Sequence, residues 1–229
     1  MVRPSTRRLI WDLRGLSITI PHKSTVLPFL DEVNKTAKDV GAVNTILLKN
    51  GRLYGHNTDV RGAMEPLEKI TALEGKKCCV VGAGGAARAV VYGLVERGAR
   101  VSIVARDPVK AKQAMGSFGV EVAPFESLGL ANADILVNTT PVGLRGHSED
   151  ASPVPNEALK NCEIVYDLVY NPRQTKLMID ALEAGCQTLS GLDMLVAQAA
   201  LQFELWTGQK APIECMRNAA LAKIGAQPM

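Results

Sequence analysis

Short apolar runs alternate with helical segments through the middle of the chain. Cys78 to Val81 and Arg100 to Ala105 each have the pattern of a buried strand, and the segment between them, Ala86 to Arg97, has the spacing of a helix. Gly98 stands where a left-handed residue is expected to end that helix. The pattern predicts a βαβ unit, in which the two strands are parallel.

The same alternation continues to about residue 190. Further strands are predicted over Asp134 to Asn138, Glu163 to Leu168 and Gln187 to Leu189, and further helices over Val109 to Met115 and Thr175 to Ala184. Gly185 is expected to end the last of these helices. Strands that alternate with helices in this way are typical of a Rossmann-type α/β domain with a parallel sheet.

Different patterns flank this region. Before it come a predicted strand over Leu16 to Ile20, a helix from Ser24 through Leu30 and beyond, and a hairpin of Val43 to Leu48 and Arg52 to Gly55. The Asn50-Gly51 pair between the hairpin strands is a strong signal for a type I′ turn. After it, residues 193–225 predict two helices split near 208–212, with one buried face that comprises Leu195, Ala199, Gln202, Phe203 and Trp206.

Composition narrows the class of protein. The 229 residues are 47% hydrophobic and 21% charged, which suits an α/β enzyme of one or two domains. The net charge of +3 comes without a Lys/Arg cluster interleaved with aromatics, so a nucleic-acid partner is not indicated, and no apolar run approaches the roughly twenty residues of a membrane span. The five cysteines form no C-x-x-C pair, so we expect reduced thiols, no metal site and a cytoplasmic location.

A glycine-rich turn lies between the first strand and helix of the βαβ unit. Gly82 permits a tight turn, Gly84 lets backbone amides approach a pyrophosphate, and the small Ala87 allows close packing of helix on sheet. Glycine also occurs at such junctions for purely structural reasons, but the strand-to-helix context favours a dinucleotide site. The predicted cofactor-binding run comprises Gly82, Ala83, Gly84, Gly85, Ala86 and Ala87.

The end of the next strand bears on the choice between NAD and NADP. An acidic side chain there binds the ribose 2′-hydroxyl of NAD, whereas an arginine pairs with the 2′-phosphate of NADP. The chain has both, as Arg106 and Asp107. Asp107 precedes Pro108 in the manner of a helix N-cap, which would occupy its carboxylate, and we therefore expect NADP.

Several motifs resemble, in order and spacing, the signatures of the shikimate dehydrogenase family. The first three are Thr19-Ile20-Pro21-His22-Lys23, Gly41-Ala42-Val43-Asn44-Thr45 and Gly55-His56-Asn57-Thr58-Asp59. The later ones lie at residues 82–88, 138–143, 167–172 and 191–199, so the resemblance covers about residues 16 to 225. It implies a two-domain α/β protein: a substrate domain over 1–73, a Rossmann domain with a parallel sheet over 74–191, and C-terminal helices over 192–229 that pack back on the first domain.

The resemblance also implies an activity, the NADP-dependent interconversion of 3-dehydroshikimate and shikimate in aromatic amino acid biosynthesis. Lys23 and Asp59 would be the catalytic pair, since an ammonium group can stabilise and protonate the oxygen of a ketone that receives a hydride. The implied substrate contacts are Thr19, Asn44, Tyr170 and Gln198. The implied cofactor contacts beyond the glycine-rich run and Arg106 are Asn138, Thr139, Thr140, Gly191 and Met194.

One family feature is not found in this sequence, a βα unit with a Ser-x-Ser motif that binds the substrate carboxylate. Residues 1–13 resemble the linker helix that follows that unit in the family. We therefore expect the sheet of the first domain to expose an edge, which a second copy of the chain or another partner would cover. Two alternatives remain open: an NADP-binding module that needs a partner for catalysis, and a quinate or shikimate dehydrogenase that uses NAD.

Overall fold

The computed structural model describes residues 13–130, 132–146 and 148–225, so the predicted linker resemblance of residues 1–13 lies almost wholly outside the described residues. The strands are β1 (Gly15–Ser17), β2 (Glu32–Val33), β3 (Thr45–Lys49), β4 (Arg52–His56), β5 (Lys77–Val81), β6 (Arg100–Ala105), β7 (Glu121–Pro124), β8 (Ile135–Asn138), β9 (Ile164–Asp167) and β10 (Gln187–Ser190). The α-helices are α1 (Lys35–Val40), α2 (Asp59–Glu68), α3 (Gly85–Val95), α4 (Pro108–Met115), α5 (Lys176–Glu183), α6 (Gly191–Thr207) and α7 (Ile213–Gly225). Within the described ranges, no helix is both long and apolar enough to cross a membrane.

The larger sheet confirms the predicted Rossmann architecture. Its six strands lie in the order β10-β9-β8-β5-β6-β7, and every neighbouring pair is parallel. In β5 the side chains of Cys78 and Val80 pack into one buried cluster and those of Cys79 and Val81 into another. Because helices cover both faces of the sheet, its strands are continuously apolar rather than alternating.

The smaller sheet belongs to the amino-terminal segment. Its strands lie in the order β1-β3-β4-β2, so β1 and β2 form its edges. The predicted hairpin is confirmed: β3 and β4 pair antiparallel, and Asn50 and Gly51 both have positive φ, at 53° and 73°, as a type I′ turn requires. Leu16, within edge strand β1, and Ile20, shortly after it, are exposed.

The helix predicted from Ser24 onward is wrong. Only a single 3₁₀ turn forms there, Leu27–Phe29, with Pro28 in its first turn. The next residues enter the small sheet, where β2 pairs in parallel with β4. Helix α1 then begins separately, capped by the Asn34 side chain, which accepts a hydrogen bond from the Ala37 backbone N–H at 2.9 Å.

The two C-terminal helices confirm the predicted split, since α6 ends before Gly208 and α7 begins at Ile213. Helix α6 packs on α2 and on β3, and the Trp206 indole N–H donates to the Ile46 carbonyl at 3.0 Å. The predicted buried face is largely wrong. Of its five residues only Gln202 is buried, because the buried apolar residues lie at Leu192, Val196 and Ala200.

Candidate active site

Lys23 and Asp59 meet although 36 positions separate them in the chain. The Lys23 Nζ lies 2.7 Å from Asp59 Oδ2, and the two side chains are 18% and 6% exposed. Asp59 is the first residue of α2, and the Val43 backbone N–H donates to the Lys23 carbonyl at 2.7 Å. The pair therefore occupies a partly buried, water-accessible position where a charged amine can exchange a proton.

Asn44 links this pair to the C-terminal helices. Its Nδ2 lies 2.9 Å from Asp59 Oδ1, 2.9 Å from Thr58 Oγ1 and 3.4 Å from Gln198 Oε1. Its Oδ1 accepts from the Thr58 backbone N–H at 2.8 Å. With Lys23 on one oxygen and Asn44 on the other, the Asp59 carboxylate is fixed in orientation. The structure thus brings together Lys23, Asn44, Asp59 and Gln198.

Thr19 and Tyr170 are both exposed. Thr19 lies in a shallow groove of about 390 Å³ that also includes Ser17, His22 and Phe29. Among the described residues, no hydrogen bond joins the side chain of Thr19 or Tyr170 to the Lys23–Asp59 pair. They can reach a bound molecule only as groups at the rim of the site.

The glycine-rich turn has the shape of a dinucleotide cradle. Gly82 has φ +105°, and a Cβ there would lie 2.7 Å from Thr139 Oγ1, so the turn requires glycine. A Cβ at Gly84 or Gly85 would meet nothing within 4 Å in the described structure, so packing does not explain these two glycines. Helix α3 begins here without a side-chain cap, which leaves its first backbone N–H groups available to an anion.

The residues at the end of β8 lie next to the glycine-rich turn, and together they line the crevice at this edge of the parallel sheet. Thr139 Oγ1 donates to the Val81 carbonyl at 2.7 Å, and the Thr140 hydroxyl and backbone N–H both donate to Asn138 Oδ1. Asn138 itself is fully buried, and its Nδ2 donates to Asp167 Oδ1 at 2.8 Å. Its side chain therefore faces the interior, while Thr139 and Thr140 are partly exposed. That all three bound the nicotinamide side of the cofactor stays a prediction.

The end of β6 presents a cation where the 2′-phosphate was expected. Arg106 is exposed directly after the strand. Asp107 caps α4, as predicted, by accepting from the Lys110 backbone N–H at 3.0 Å, and this bond lowers the pKa of its carboxyl. Lys110 Nζ also lies 3.3 Å from Asp107 Oδ2. The predictions missed Lys110 as a second cation at this corner; its signal is its place in the first turn of a helix that starts beside Arg106.

The first residues of α6 pack against the segment that follows β9. A Cβ at Gly191 would lie 2.1 Å from the Leu168 carbonyl oxygen, so only glycine lets α6 approach the segment after β9 this closely. Met194 is half-buried and packs against the larger core cluster. One turn later, Gln198 lies over Gly62 of α2, where a Cβ would be 2.9 Å from the Gln198 backbone nitrogen.

Three family models match the chain in the order of its elements. The model of the shikimate dehydrogenase substrate binding domain matches residues 5–46, that of shikimate / quinate 5-dehydrogenase matches residues 65–183, and that of the shikimate 5'-dehydrogenase C-terminal domain matches residues 191–221. The chain belongs to the shikimate dehydrogenase family. The resemblance of its motifs is thereby confirmed.

Individual relatives are similar over most of the chain. The shikimate dehydrogenase (NADP(+)) of Salinibacter ruber is 42% identical over 91% of this chain and 78% of its own length, and that of Methanothermobacter thermautotrophicus is 38% identical over 90% and 76%. Among solved structures, a shikimate dehydrogenase in complex with NADP+ superposes with a TM-score of 0.87 at 36% identity, covering 93% of this chain and 78% of that one. The Thermus thermophilus shikimate 5-dehydrogenase, in complex with NADP(H) and shikimate, gives 0.83 at 40% identity, with 92% and 79% covered.

One solved structure that is similar to this chain is named for another substrate. A 5-ketofructose reductase of Gluconobacter sp. strain CHM43 superposes with a TM-score of 0.81 at 36% identity and covers 91% of this chain and 78% of that one.

Gln202 of this shikimate dehydrogenase family member is buried, as predicted, but the sequence did not reveal its hydrogen-bond partners. Its spacing places it on an apolar face, yet its Nε2 lies 3.0 Å from Thr45 Oγ1 and 3.4 Å from the Asn44 carbonyl. The side chain is placed to hold α6 against the strand that presents Asn44. A glutamine inside an otherwise apolar helical face is the available signal, since a buried amide needs a specific partner.

Burial limits the reactivity of most cysteines in this family member. Four of the five are buried, and Cys215 is exposed. Burial raises the pKa of Cys78 to about 12 and that of Cys79 to about 11, so both thiols stay protonated at neutral pH. Among the described residues, no group of three or more His, Cys, Asp or Glu side chains is arranged to hold a metal ion.

Proposed function

We infer that the chain is an NADP-dependent shikimate dehydrogenase that interconverts 3-dehydroshikimate and shikimate. The observation that carries this inference is the contact of Lys23 with Asp59, and of Asp59 with Asn44, in a member of that family. The two relatives described above, from Methanothermobacter thermautotrophicus and Salinibacter ruber, are named shikimate dehydrogenase (NADP(+)).

The residues support a simple division of labour in catalysis. When bound, the nicotinamide supplies or accepts the hydride. In the direction of reduction, the Lys23 ammonium donates a proton to the ketone oxygen as that oxygen gains charge, and Lys23 then regains a proton from water. Asp59 orients the Lys23 side chain through their 2.7 Å contact.

The substrate contacts are proposed from the same cluster. Asn44 and Gln198 offer amide donors and acceptors beside Asp59, which suits the hydroxyls of a polyol. The exposed Thr19 and Tyr170 would complete the contacts from the rim.

The cofactor site is proposed along the crevice of the parallel sheet. The turn at Gly82, Ala83 and Gly84 and the uncapped start of α3, at Gly85, Ala86 and Ala87, fit a pyrophosphate, because small residues and free N–H groups meet there. Arg106 would bind the 2′-phosphate, with Lys110 as a second cation, since the carboxylate of Asp107 is already engaged as the helix cap. Thr139, Thr140, Gly191 and Met194 would bound the nicotinamide side.

We also propose the division into a substrate domain at 1–73, a Rossmann domain at 74–191 and C-terminal helices at 192–229. Two separate sheets support it, as does the packing of α6 on α2 and β3.

A cytoplasmic location is consistent with the free thiols, and a second copy of the chain covering edge strand β1 is consistent with the exposed Leu16 and Ile20. Sedimentation velocity tests the latter, and a monomer at working concentration would refute it.

A second candidate, reduction of a keto sugar, is favoured only by the likeness to the 5-ketofructose reductase. A matrix of assays separates the candidates. Formation of NADPH or NADH is followed with shikimate and with quinate, and consumption of NADPH with 3-dehydroshikimate and with 5-ketofructose. Among the oxidations we expect the highest kcat/KM for shikimate with NADP, and among the reductions the highest for 3-dehydroshikimate with NADPH. A higher value for quinate, for 5-ketofructose or for NAD would overturn the proposed substrate or cofactor.

A further inference from the structure

Arg88 ends the glycine-rich run and lies in the first turn of α3, yet it has no part in the site described above. Its Nε donates to the Val40 carbonyl at 2.7 Å, and its Nη1 donates to the Ala114 carbonyl. Its guanidinium also lies over the Phe118 ring, 5.4 Å from the ring centroid. One half-buried cation thus contacts two segments that are distant in sequence, the end of α1 and residues 114–118.

Two of these contacts are with the ends of helices. Val40 is the last residue of α1, and Ala114 is the penultimate residue of α4. Carbonyl groups at helix C-termini lack intrahelical partners and carry partial negative charge, so a guanidinium is a suitable partner for both. Helix α1 precedes Asn44 and strand β3, whereas α4 belongs to the Rossmann region. Arg88 therefore connects the first part of the chain to the proposed cofactor-binding part.

Arg88 also lies close to Gly41, the residue that ends α1. Gly41, which follows Val40, has φ +69°, and a Cβ on it would lie 2.9 Å from Arg88 Nη2. Glycine at this position thus serves both the left-handed end of α1 and the space that the guanidinium needs.

The segment after Val40 supports the catalytic pair. The Ala42 carbonyl accepts from Asn57 Nδ2 at 2.9 Å, and the Val43 backbone N–H donates to the Lys23 carbonyl at 2.7 Å. Asn44 follows directly and contacts Asp59. A displacement of Val40 would therefore also move residues 42–44, which contact Asn57, Lys23 and Asp59.

We propose that Arg88 is a positioning residue that couples the cofactor-binding helix α3 to the Lys23–Asp59 pair through Val40 and the segment 41–44. It acts without contacting substrate, and the proposal rests on the proposed function for its kinetic test. The binding of a dinucleotide at the start of α3 would fix Arg88 and, through it, the geometry of the catalytic pair.

The kinetic test compares Arg88→Met and Arg88→Lys with the control Arg97→Met. Arg97 lies just after α3 and, like Arg88, reaches another helix, since its Nε lies 2.6 Å from Glu68 Oε1 of α2. None of its hydrogen bonds is to segment 40–44. We expect Arg88→Met to lower kcat by about tenfold or more, because small displacements of reacting groups are costly. The KM for NADP should change by less than about threefold, which corresponds to under 1 kcal/mol. Arg88→Lys should recover part of the loss, and Arg97→Met should keep the kcat of the parent.

An isotope effect distinguishes positioning from a loss of folded protein. With shikimate deuterated at the carbon that is oxidised, Arg88→Met should show a larger isotope effect on kcat than the parent, because hydride transfer itself becomes slower. A lower kcat with an unchanged isotope effect and a reduced stoichiometry of NADP binding would mean that Arg88 only stabilises the fold, and would overturn the proposal.

Hydrogen–deuterium exchange tests the coupling without turnover, and so keeps it separate from the proposed activity. In the parent, NADP should slow exchange both in peptides that cover 82–95 and in those that cover 36–46. In Arg88→Met, or in Arg88→Lys if the first variant does not fold, protection of 82–95 should persist and that of 36–46 should be lost. Protection confined to 82–95 in the parent would refute the coupling, whatever the outcome with shikimate.

Discussion

At the scale of single residues, the site is organised around a carboxylate with both oxygens occupied. Asp59 is almost fully buried and holds Lys23 on one oxygen and Asn44 on the other. A partly buried ion pair gains little net stability, because desolvation offsets most of the attraction between the charges. The arrangement is better explained by the need for an oriented, charged amine at the reacting oxygen.

Lys23→Ala should abolish most turnover and leave cofactor binding intact. We expect kcat to fall by about 10²- to 10⁴-fold, the usual contribution of a general acid–base group, while the Kd for NADP stays within about twofold. The matched control is Lys35→Ala, which removes an exposed lysine paired with Asp39 in α1. Equal losses of turnover and of NADP affinity in Lys23→Ala would contradict the assigned role.

Arg106→Ala should weaken NADP much more than NAD. A charge-assisted bond to the 2′-phosphate is lost, so we expect about a tenfold or larger rise in the Kd for NADP and little change for NAD. Arg100→Ala, at the exposed other end of β6, is the control. Isothermal titration with both cofactors makes the measurement, and a parent protein that binds NAD and NADP equally well would already refute this interpretation.

The site residues could be predicted only in part. The type of each catalytic group followed from its chemistry, but the pairing of Lys23 with Asp59 came from resemblance to a family, because nothing local in the sequence joins residues 36 positions apart. The hydrogen-bond partners of Gln202 and Asn138 could not be predicted for a related reason. Whether a polar side chain faces a crevice or the interior depends on partners such as Thr45 and Asp167, which are contributed by distant segments.

At the scale of elements, close helix packing places Gln198. A Cβ on Gly62 of α2 would lie 2.7 Å from Gln198 Cβ and 2.9 Å from its backbone nitrogen, so α6 can approach only over a glycine. The position of the Gln198 amide, a proposed substrate contact, is therefore set by the contact of two helices.

Gly62→Ala should push α6 away from α2. We expect a loss of about 1 to 3 kcal/mol in the free energy of unfolding from overpacking, together with a lower kcat/KM for shikimate. Gly116→Ala is the control, since a Cβ there would meet nothing within 4 Å and its φ of −58° suits alanine. Denaturation and steady-state kinetics make the comparison; a fully stable and active Gly62→Ala would show that the packing is looser than described.

Asp167 joins three elements at the end of β9. It accepts from Asn138 Nδ2 at 2.8 Å, from the Val169 backbone N–H at 3.0 Å and from Thr175 Oγ1 at 2.6 Å. Its burial raises the pKa of its carboxyl, even though these bonds favour the charged form. The fold therefore holds a carboxylate that would bind a proton more readily than it does in the unfolded chain.

Asp167→Asn should consequently change how stability depends on pH. Between the unfolded pKa of about 4 and the raised folded pKa, the folded parent binds more protons than the unfolded chain, so the contribution of Asp167 to the free energy of unfolding falls as pH rises. The variant lacks this titration, and its stability relative to the parent should increase with pH across that window and then level off. Urea denaturation at a series of pH values measures the difference; a relative stability that decreases as pH rises would contradict the assignment.

The elements could be predicted best where local pattern and tertiary environment agree. The strands and helices of the parallel sheet are apolar on buried faces and end at glycines such as Gly98 and Gly185, both with positive φ. The prediction failed over Ser24 to Leu30, where local spacing favoured a helix but Pro28 and the pairing of β2 with β4 prevail. Strand pairing between segments about twenty residues apart leaves no mark in local periodicity.

At the scale of the whole molecule, the two sheets are joined by helices. Helix α2 leaves the catalytic pair and packs on α3 of the Rossmann region, while α6 leaves the Rossmann region and returns to α2 and β3. The crevice and the Lys23–Asp59 pair therefore share supporting elements. Such an arrangement lets closure of the cleft bring cofactor and substrate together and exclude water.

We propose above all that this chain by itself oxidises shikimate with NADP. The most direct measurement is the shikimate-dependent formation of NADPH by the purified chain, with NADP binding followed by titration on the same sample. We predict saturable turnover that depends on both substrates and is lost in Lys23→Ala. Stoichiometric NADP binding with no NADPH formed at any shikimate concentration would contradict the claim and favour a cofactor-binding module that needs a partner for catalysis.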